Sequence, residues 1–182
     1  MAPVVLVVGG ARSGKSDYAQ AMAQEQAGPR YYLATCPPVA DGDDPELAAR
    51  VLAHRLKRHG LGWQTVEEAL GIARCLRELP APATVLVDCL TLWISNLLWA
   101  DRELGRLDEV AMVSRCQELL AAARHRQGLL VLVSGEVGCG LVPEPALSRR
   151  YRDLVGRCNQ VMAAGADRVV QVVCGLPLII KG

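Results

Sequence analysis

Two apolar patterns alternate along the chain: short runs rich in valine and leucine, and longer stretches in which apolar residues recur every three or four positions. The short runs predict strands and the longer stretches predict helices. The predicted strands are Val4–Val8, Tyr31–Ala34, Trp63–Val66, Val85–Asp88, Leu129–Ser134 and Arg168–Val173. Near-continuous apolar strands joined by helical crossovers are typical of a parallel sheet covered on both faces. We therefore expect an α/β fold with a mostly parallel sheet.

Three further segments carry more specific expectations. Leu178–Ile180 is expected to pair with the sixth strand as a hairpin through Gly175-Leu176-Pro177. Leu90–Trp99 is apolar around nearly the whole helix, which is typical of a helix at the centre of a core or at a subunit interface. Pro143 is expected to open the helix that follows it, since proline is favoured in a first helical turn.

A glycine-rich segment directly follows the first strand and reads Gly9-Gly10-Ala11-Arg12-Ser13-Gly14-Lys15-Ser16. It fits G-x-x-x-x-G-K-[ST], the phosphate-binding loop. Glycines bring backbone N–H groups against phosphate oxygens, the Lys15 ammonium can reach the β- and γ-phosphates, and the Ser16 hydroxyl can ligate Mg²⁺. Loop and strand pattern together predict a P-loop NTPase with a RecA-like sheet and a C-terminal hairpin, forming one nucleotide-binding domain over residues 1–182.

An acidic residue ends the apolar strand Val85-Leu86-Val87-Asp88. In P-loop proteins such a strand lies beside the loop, and its aspartate helps to hold Mg²⁺. We therefore expect Asp88 and Ser16 to be the protein ligands of Mg²⁺.

The segment from Asp44 to His59 is predicted as a helix with two distinct faces. Its apolar stripe consists of Leu47, Val51, Leu52 and Leu56. Arg50, His54 and Arg58 stack on another face. Spacing alone leaves two interpretations open: a solvated basic face, or two guanidinium groups that bind phosphate oxygens and keep the imidazole between them neutral and nucleophilic.

A loop with three glycines and one glutamate, Gly135–Pro143, follows the fifth strand. Ligands bind at the C-terminal edge of open α/β sheets, so this loop is a candidate substrate loop with Glu136 as its acidic group. A flexible connection of ordinary kind fits the same composition.

Composition narrows the classes of function. Of 182 residues 51% are hydrophobic, which argues against disorder, and a net charge of +1 gives no hint of a nucleic-acid or membrane partner. No apolar run approaches a bilayer span, and Met1–Val8 lacks the features of a signal peptide. The seven cysteines include no C-x-x-C pair, so we expect neither a disulfide framework nor a zinc site, and a cytoplasmic location.

Several motifs in one order resemble those of a known family, the bifunctional adenosylcobinamide kinase / adenosylcobinamide-phosphate guanylyltransferases of cobalamin biosynthesis. The motifs are GGARSGKS, YLAT, DPELAARVLAHR, GWQTVE, VDCLTLWISNLL, GEVGCGLVPE and YRDLVGRCNQ. They cover essentially the whole length of the chain. Many families share the first motif, whereas the ordered combination of the others is specific.

The resemblance implies two reactions. A nucleoside triphosphate, ATP or GTP, phosphorylates the aminopropanol hydroxyl of adenosylcobinamide. GTP then delivers GMP to that phosphate through a histidine–GMP intermediate, giving adenosylcobinamide-GDP and pyrophosphate. The implied catalytic residues are Lys15 and, by its position in the motif, His54, with Mg²⁺ as cofactor. Besides the phosphate loop and Asp88, the implied nucleotide-binding residues are Ala34, Thr35, Cys36, Arg55, Leu56, Lys57, Arg58 and Glu67.

The resemblance also implies a homo-oligomer, a trimer, with no nucleic-acid partner. The chain departs from its relatives in three places. Some relatives carry two adjacent histidines where this chain has Ala53-His54, so only His54 can serve here. The stretch Pro38–Asp43 is slightly longer than usual, and Gly135 stands where relatives often have Asn or Ser.

Two other functions fit part of the pattern. A small-molecule P-loop kinase would use Lys15, Ser16 and Asp88 but would not need His54. A RecA-like ATP-driven nucleic-acid module would need basic patches and aromatic stacking residues, and an aromatic content of 4% argues against it.

Overall fold

A computed structural model describes residues 2–37 and 45–182 of the chain. Within those residues strands and helices alternate, as the apolar pattern predicts. The strands are β1 (Val4–Gly9), β2 (Arg30–Ala34), β3 (Trp63–Glu67), β4 (Thr84–Asp88), β5 (Leu130–Gly135), β6 (Arg168–Val173) and β7 (Leu176–Lys181). The helices are α1 (Lys15–Gln24), α2 (Pro45–Arg58), α3 (Ile72–Glu78), α4 (Leu90–Ala100), α5 (Glu109–Arg124) and α6 (Ala146–Gly165).

The strands form one seven-stranded sheet in the order β3-β2-β4-β5-β1-β6-β7. All neighbouring pairs are parallel except β6 and β7, which are antiparallel. The predicted mostly parallel sheet with a C-terminal hairpin is therefore confirmed. Strand β4, which ends in Asp88, is separated from the loop strand β1 by β5. Helix α1 packs across β4 and β5, so it bridges the two strands.

Helices cover both faces of the sheet. On one face, α3, α4, α5 and α6 bury the larger apolar core against alternate residues of β1, β2, β4 and β5. On the other face α1 packs through Ala19 and Ala23 onto a smaller core that includes Tyr32. Leu90, Trp93 and Ile94 are buried in the larger core, so α4 is central to it, while Trp99 at its end is 68% exposed. No helix in the described ranges has both the length and the apolar character of a membrane span.

The C-terminal hairpin turns earlier than its sequence predicts. Leu176 and Pro177 already belong to β7, and the two turn residues are Cys174 and Gly175 with φ of 52° and 80°. Positive φ at both positions is the type I′ geometry that matches the twist of paired strands. Pro177 is accommodated because β7 is the edge strand of the sheet. No strand pairs with its outer side, so a missing N–H costs no hydrogen bond there.

Pro143 does not open a helix. Helix α6 begins at Ala146, and Pro145 is the residue that caps it. The segment before it is an exposed loop in which the Leu141 side chain is almost fully exposed. The helix therefore starts three residues later than the sequence suggests, with Pro145 rather than Pro143 at its N-terminus.

Candidate active site

The phosphate loop joins the end of β1 to the start of α1. Gly14 caps α1 with a φ of 92°, a left-handed conformation that glycine adopts without strain. A Cβ atom at Gly9 would lie 2.6 Å from the carbonyl oxygen of Val172, so this glycine is needed for a close approach of two backbones. Lys15 donates a hydrogen bond from Nζ to the carbonyl oxygen of Gly10, at 3.1 Å, which folds its ammonium over the loop. The loop thus presents a helix N-terminus and a cation at one point, as an anion site requires.

The hairpin turn and the β5 loop both support the phosphate loop. The backbone N–H of Gly175 donates to the carbonyl oxygen of Ser13 at 2.8 Å. On the other side, the N–H of Glu136 donates to the carbonyl oxygen of Gly9 at 3.0 Å. The Glu136 carboxylate accepts from the N–H of Gly138 at 2.8 Å, within its own loop. The candidate substrate loop therefore begins beside the phosphate loop.

A cavity of about 510 Å³ lies between α2, α4 and the C-terminal ends of β2, β3 and β4. It brings together seven of the predicted nucleotide-binding or catalytic residues: Ala34, Cys36, His54, Arg55, Arg58, Glu67 and Asp88. Thr35 does not line this cavity and is fully buried. Its hydroxyl accepts from the N–H of Cys89 and donates to the Cys89 carbonyl, so it ties the end of β2 to β4.

Helix α2 turns its histidine face to the cavity. Val51, His54 and Arg58 line it, whereas Leu56 of the apolar stripe is exposed. Leu52 also borders the cavity although it is exposed, so the stripe is not a buried core face in this chain. The side chains of Leu47 and Arg50 and the stretch Pro38–Asp43 lie outside the described residues.

Two ion pairs link α2 to its neighbours. Arg55 meets Glu67 of β3 at 2.5 Å, and Lys57 meets Asp17 of α1 at 2.6 Å. All four side chains are largely exposed, so each pair contributes only about 0–1 kcal/mol. Lys57 is thereby turned toward α1, away from the cavity that Arg55 and Arg58 line.

Tyr32, Asp88 and Arg58 form a buried cluster on the floor of the cavity. The Tyr32 hydroxyl donates to Oδ2 of Asp88 at 3.0 Å, and Cζ of Arg58 lies 3.4 Å from the centre of the Tyr32 ring. Burial, followed by the charge of Asp88, raises the pKa of the Tyr32 phenol far above its usual value. Burial also lowers the pKa of the Arg58 guanidinium, with Tyr32 and Asp88 opposing that shift. The phenol is therefore protonated and donates throughout the ordinary pH range.

Sequence reasoning did not assign a role to several cavity residues, namely Tyr32, Cys89, Thr91, Ser95 and Tyr151. Tyr32 could have been found, because it lies two positions before Ala34 on one strand and so faces the same side of the sheet. Tyr151 comes from α6, far along the chain, and donates to the carbonyl oxygen of Thr91 at 3.3 Å. Burial raises its pKa to about 12. Only the packing of α6 against α4 brings it to the site.

The sequence predicts one hydroxyl, that of Ser16, and one carboxylate, that of Asp88, as the protein ligands of Mg²⁺. Ser16 is the second residue of α1, and Asp88 ends β4, across which α1 packs. Within the described ranges no group of three or more His, Cys, Asp or Glu residues is arranged to hold a metal ion. Mg²⁺ in phosphoryl-transfer sites takes one or two protein ligands plus phosphate oxygens and waters, so these two residues fit it. When bound, Mg²⁺ would neutralise charge on the phosphates.

A protein-family model described as cobinamide kinase / cobinamide phosphate guanyltransferase matches residues 5–180. The chain belongs to this family. It is 42% identical over 178 residues to the bifunctional adenosylcobalamin biosynthesis protein CobP of Pseudomonas aeruginosa, covering 97% of this chain and 96% of that protein. It is 37% identical over 186 residues to the bifunctional adenosylcobalamin biosynthesis protein CobU of Escherichia coli, covering 98% and 99%.

Among solved structures, the family member resembles an ATPase from the type III secretion system of pathogenic bacteria. The TM-score is 0.61 at 13% identity, and the match covers 97% of this chain and 56% of that chain. At this identity the likeness concerns the fold alone. It agrees with the predicted RecA-like P-loop architecture.

Proposed function

We propose that this chain carries out both reactions of its family on a cobinamide substrate. In the first, the γ-phosphoryl group of ATP or GTP passes to the aminopropanol hydroxyl of adenosylcobinamide. In the second, GMP from GTP passes to the resulting phosphate, giving adenosylcobinamide-GDP and pyrophosphate. The family match over nearly the whole chain supports both reactions, and the cavity beside α2 supports the second.

The phosphate loop would perform the first reaction. Backbone N–H groups at the start of α1 hold the phosphates, and the Lys15 ammonium stabilises charge on the transferred group. The substrate hydroxyl oxygen forms a bond to the γ-phosphorus as the bond to the β-bridging oxygen breaks; the hydroxyl proton passes to solvent, and the nucleoside diphosphate leaves. Ser16 and Asp88 would hold Mg²⁺.

His54 would perform the second reaction. A neutral imidazole nitrogen attacks the α-phosphorus of GTP, a P–N bond forms and pyrophosphate leaves. The substrate phosphate then attacks the same phosphorus, the P–N bond breaks and the ring nitrogen is released. Arg55 and Arg58 lie with His54 on the cavity wall, where guanidinium groups match phosphate oxygens. Glu67, Ala34 and Cys36, which line the cavity at the adjoining strand ends, are proposed contacts of the guanosine. Thr35, Leu56 and Lys57, which do not line the cavity, are proposed to act only as neighbours of these contacts.

The observation that carries the guanylyl-transfer proposal is the joint placement of His54, Arg58 and Asp88 on one cavity. The other two histidines stand elsewhere: His59 is exposed just beyond α2, and His125 caps the end of α5. A neutral nucleophile flanked by cations is what nucleotidyl transfer through histidine requires.

Labelling with α-³²P-GTP and Mg²⁺ tests this proposal. The wild-type chain is expected to take up acid-labile, base-stable label that mass spectrometry assigns to His54. His54→Ala should lose the label and guanylyl transfer but keep much of the kinase activity, while His59→Ala and His125→Ala serve as matched controls that keep both. Label on the His54→Ala chain would contradict the assignment, and transfer without any label would exclude the covalent route.

We also propose that the protein works in the cytoplasm as a homotrimer. Large apolar side chains stand exposed on the chain, including Trp99, Val110 and the strand β7, which is what a chain with a subunit interface displays. Light scattering coupled to size-exclusion chromatography measures the mass directly. A monomer mass at micromolar concentration would refute the trimer.

A further inference from the structure

Arg58 is an unusual basic residue because its guanidinium is buried without a full set of partners. The residue is 6% exposed, and its Nε and Nη1 atoms have no hydrogen-bond partner among the described residues. It also forms no ion pair within that part of the chain. Buried donors left in this state carry a desolvation cost that a bound anion would remove. Arg58 lines the cavity with His54, so an anion bound there would lie beside its guanidinium.

The Tyr32 ring is the contact that holds Arg58 in this place. Its centre lies 3.4 Å from Cζ of Arg58, a close cation–π distance. The ring itself is fixed, because Trp63 packs edge-on against it with centroids 6.3 Å apart and planes at 89°. The same residue reaches Asp88 through its hydroxyl at 3.0 Å.

We propose that Tyr32 is a positioning residue that sets two groups of the site at once: its hydroxyl orients the Asp88 carboxylate, and its ring holds the Arg58 guanidinium toward the anion in the cavity. The proposal rests on the proposed function, in which the anion is a phosphate of the guanine nucleotide. Neither half requires Tyr32 to touch the substrate. Its hydroxyl engages Oδ2 of Asp88 and leaves Oδ1 to a ligand.

The two halves can be separated by two substitutions. Tyr32→Phe keeps the ring beneath Arg58 and removes the hydrogen bond to Asp88. Tyr32→Leu removes both. Tyr31→Phe is the matched control, because Tyr31 is the neighbouring residue on β2, is equally buried, and faces the larger core on the other side of the sheet.

The ring is tested by GMP binding in EDTA, measured by titration calorimetry, so that neither metal nor turnover contributes. Tyr32→Phe is expected to bind GMP within threefold of the wild type. Tyr32→Leu is expected to bind GMP more weakly by up to about 30-fold, the limit reached when ordering the freed guanidinium costs as much as one desolvated cation–π contact stabilises it. If Tyr32→Leu unfolds at the assay temperature, Arg58→Lys, which keeps the charge but not the stacked plane, should show a comparable loss.

The hydroxyl is tested by the Mg²⁺ concentration at half-maximal labelling of His54. Tyr32→Phe should raise that midpoint about tenfold or more, as losing the orienting partner of a metal ligand does, with GMP binding unchanged. Tyr31→Phe should match the wild type in both assays. An unchanged midpoint for Tyr32→Phe, or wild-type GMP affinity for Tyr32→Leu, would overturn the corresponding half, and equal losses in Tyr31→Phe would overturn both. The proposed function fails instead if the wild type itself binds no GMP and takes up no label.

Discussion

Replacement of Gly9 by alanine tests whether close backbone packing fixes the phosphate loop. The added Cβ would lie 2.5 Å from the Ser13 hydroxyl oxygen and 2.6 Å from the Val172 carbonyl oxygen. The serine can rotate, whereas the carbonyl belongs to β6, whose first four residues pair with Val5–Val8 of β1. The second distance is about 0.8 Å short of the 3.4 Å at which ordinary contact begins, so the loop must shift by a comparable amount.

The expected cost follows from that shift. Overpacking of this kind destabilises by about 1–3 kcal/mol, which lowers Tm by roughly 2–12 °C for a chain of this size. Misplacement of catalytic groups by about 1 Å costs on the order of 10²-fold in rate. We expect the kinase rate of Gly9→Ala, measured as transfer from γ-labelled ATP to adenosylcobinamide, to fall by that factor.

Gly10→Ala is the matched control for this experiment. A Cβ at Gly10 meets no atom within 4 Å in the described residues, so Tm should stay close to that of the wild type. If Gly9→Ala keeps its kinase rate within threefold, or if Gly10→Ala loses as much in Tm, the close approach to β6 is not what shapes the loop.

Three other predictions address the loop, the metal and acid stability. Lys15→Ala should lower the kinase rate by at least about 10²-fold in the same transfer assay, and near-normal transfer would contradict its role. Asp88→Asn should raise the Mg²⁺ concentration needed for half-maximal activity; an unchanged titration would point to another acid, such as Glu136. Hydrogen bonds from the N–H groups of Gly71 and Leu70 lower the pKa of Glu68 in the folded protein. Glu68 therefore stabilises the fold at pH values above its unfolded-state pKa, and this stabilisation is lost as the pH falls through its lower folded-state pKa. Denaturant unfolding measured at several pH values in this range should show that Glu68→Gln loses less free energy of unfolding on acidification than the wild type. The same pH dependence in both proteins would refute this role of Glu68.

The sequence alone was sufficient to predict the strands and their order along the chain. Buried parallel strands are apolar on both faces, so runs such as Val4–Val8 and Leu129–Ser134 stand out without knowledge of their partners. The order of strands in the sheet is not local information, so the sequence did not show that β5 lies between β4 and β1. The predicted position of the hairpin turn was wrong because proline is common in turns. Pro177 instead lies in β7, and an edge strand tolerates proline.

The candidate site likewise contains residues that the sequence identified and contacts that only the fold shows. Motif positions identified His54, Arg58 and Asp88, and the fold places all three on one cavity. Their roles stay predictions until the labelling experiments are done. Tyr32 shares a motif with Ala34 and Thr35, yet its link to Arg58 appears only when α2 packs over β2, since 26 positions separate the two residues. Tyr151 comes from α6, so its place at the cavity likewise appears only when that helix packs against α4.

The hydrogen bond from the N–H of Gly175 to the carbonyl oxygen of Ser13 has a consequence for folding during synthesis of the chain. The phosphate loop is synthesised well before its supports, which come from β5, β6 and the hairpin turn. Contacts of such long sequence separation form slowly and late in folding. A nascent chain that has not yet reached Gly175 therefore lacks the hydrogen bond that ties its phosphate loop to the hairpin turn.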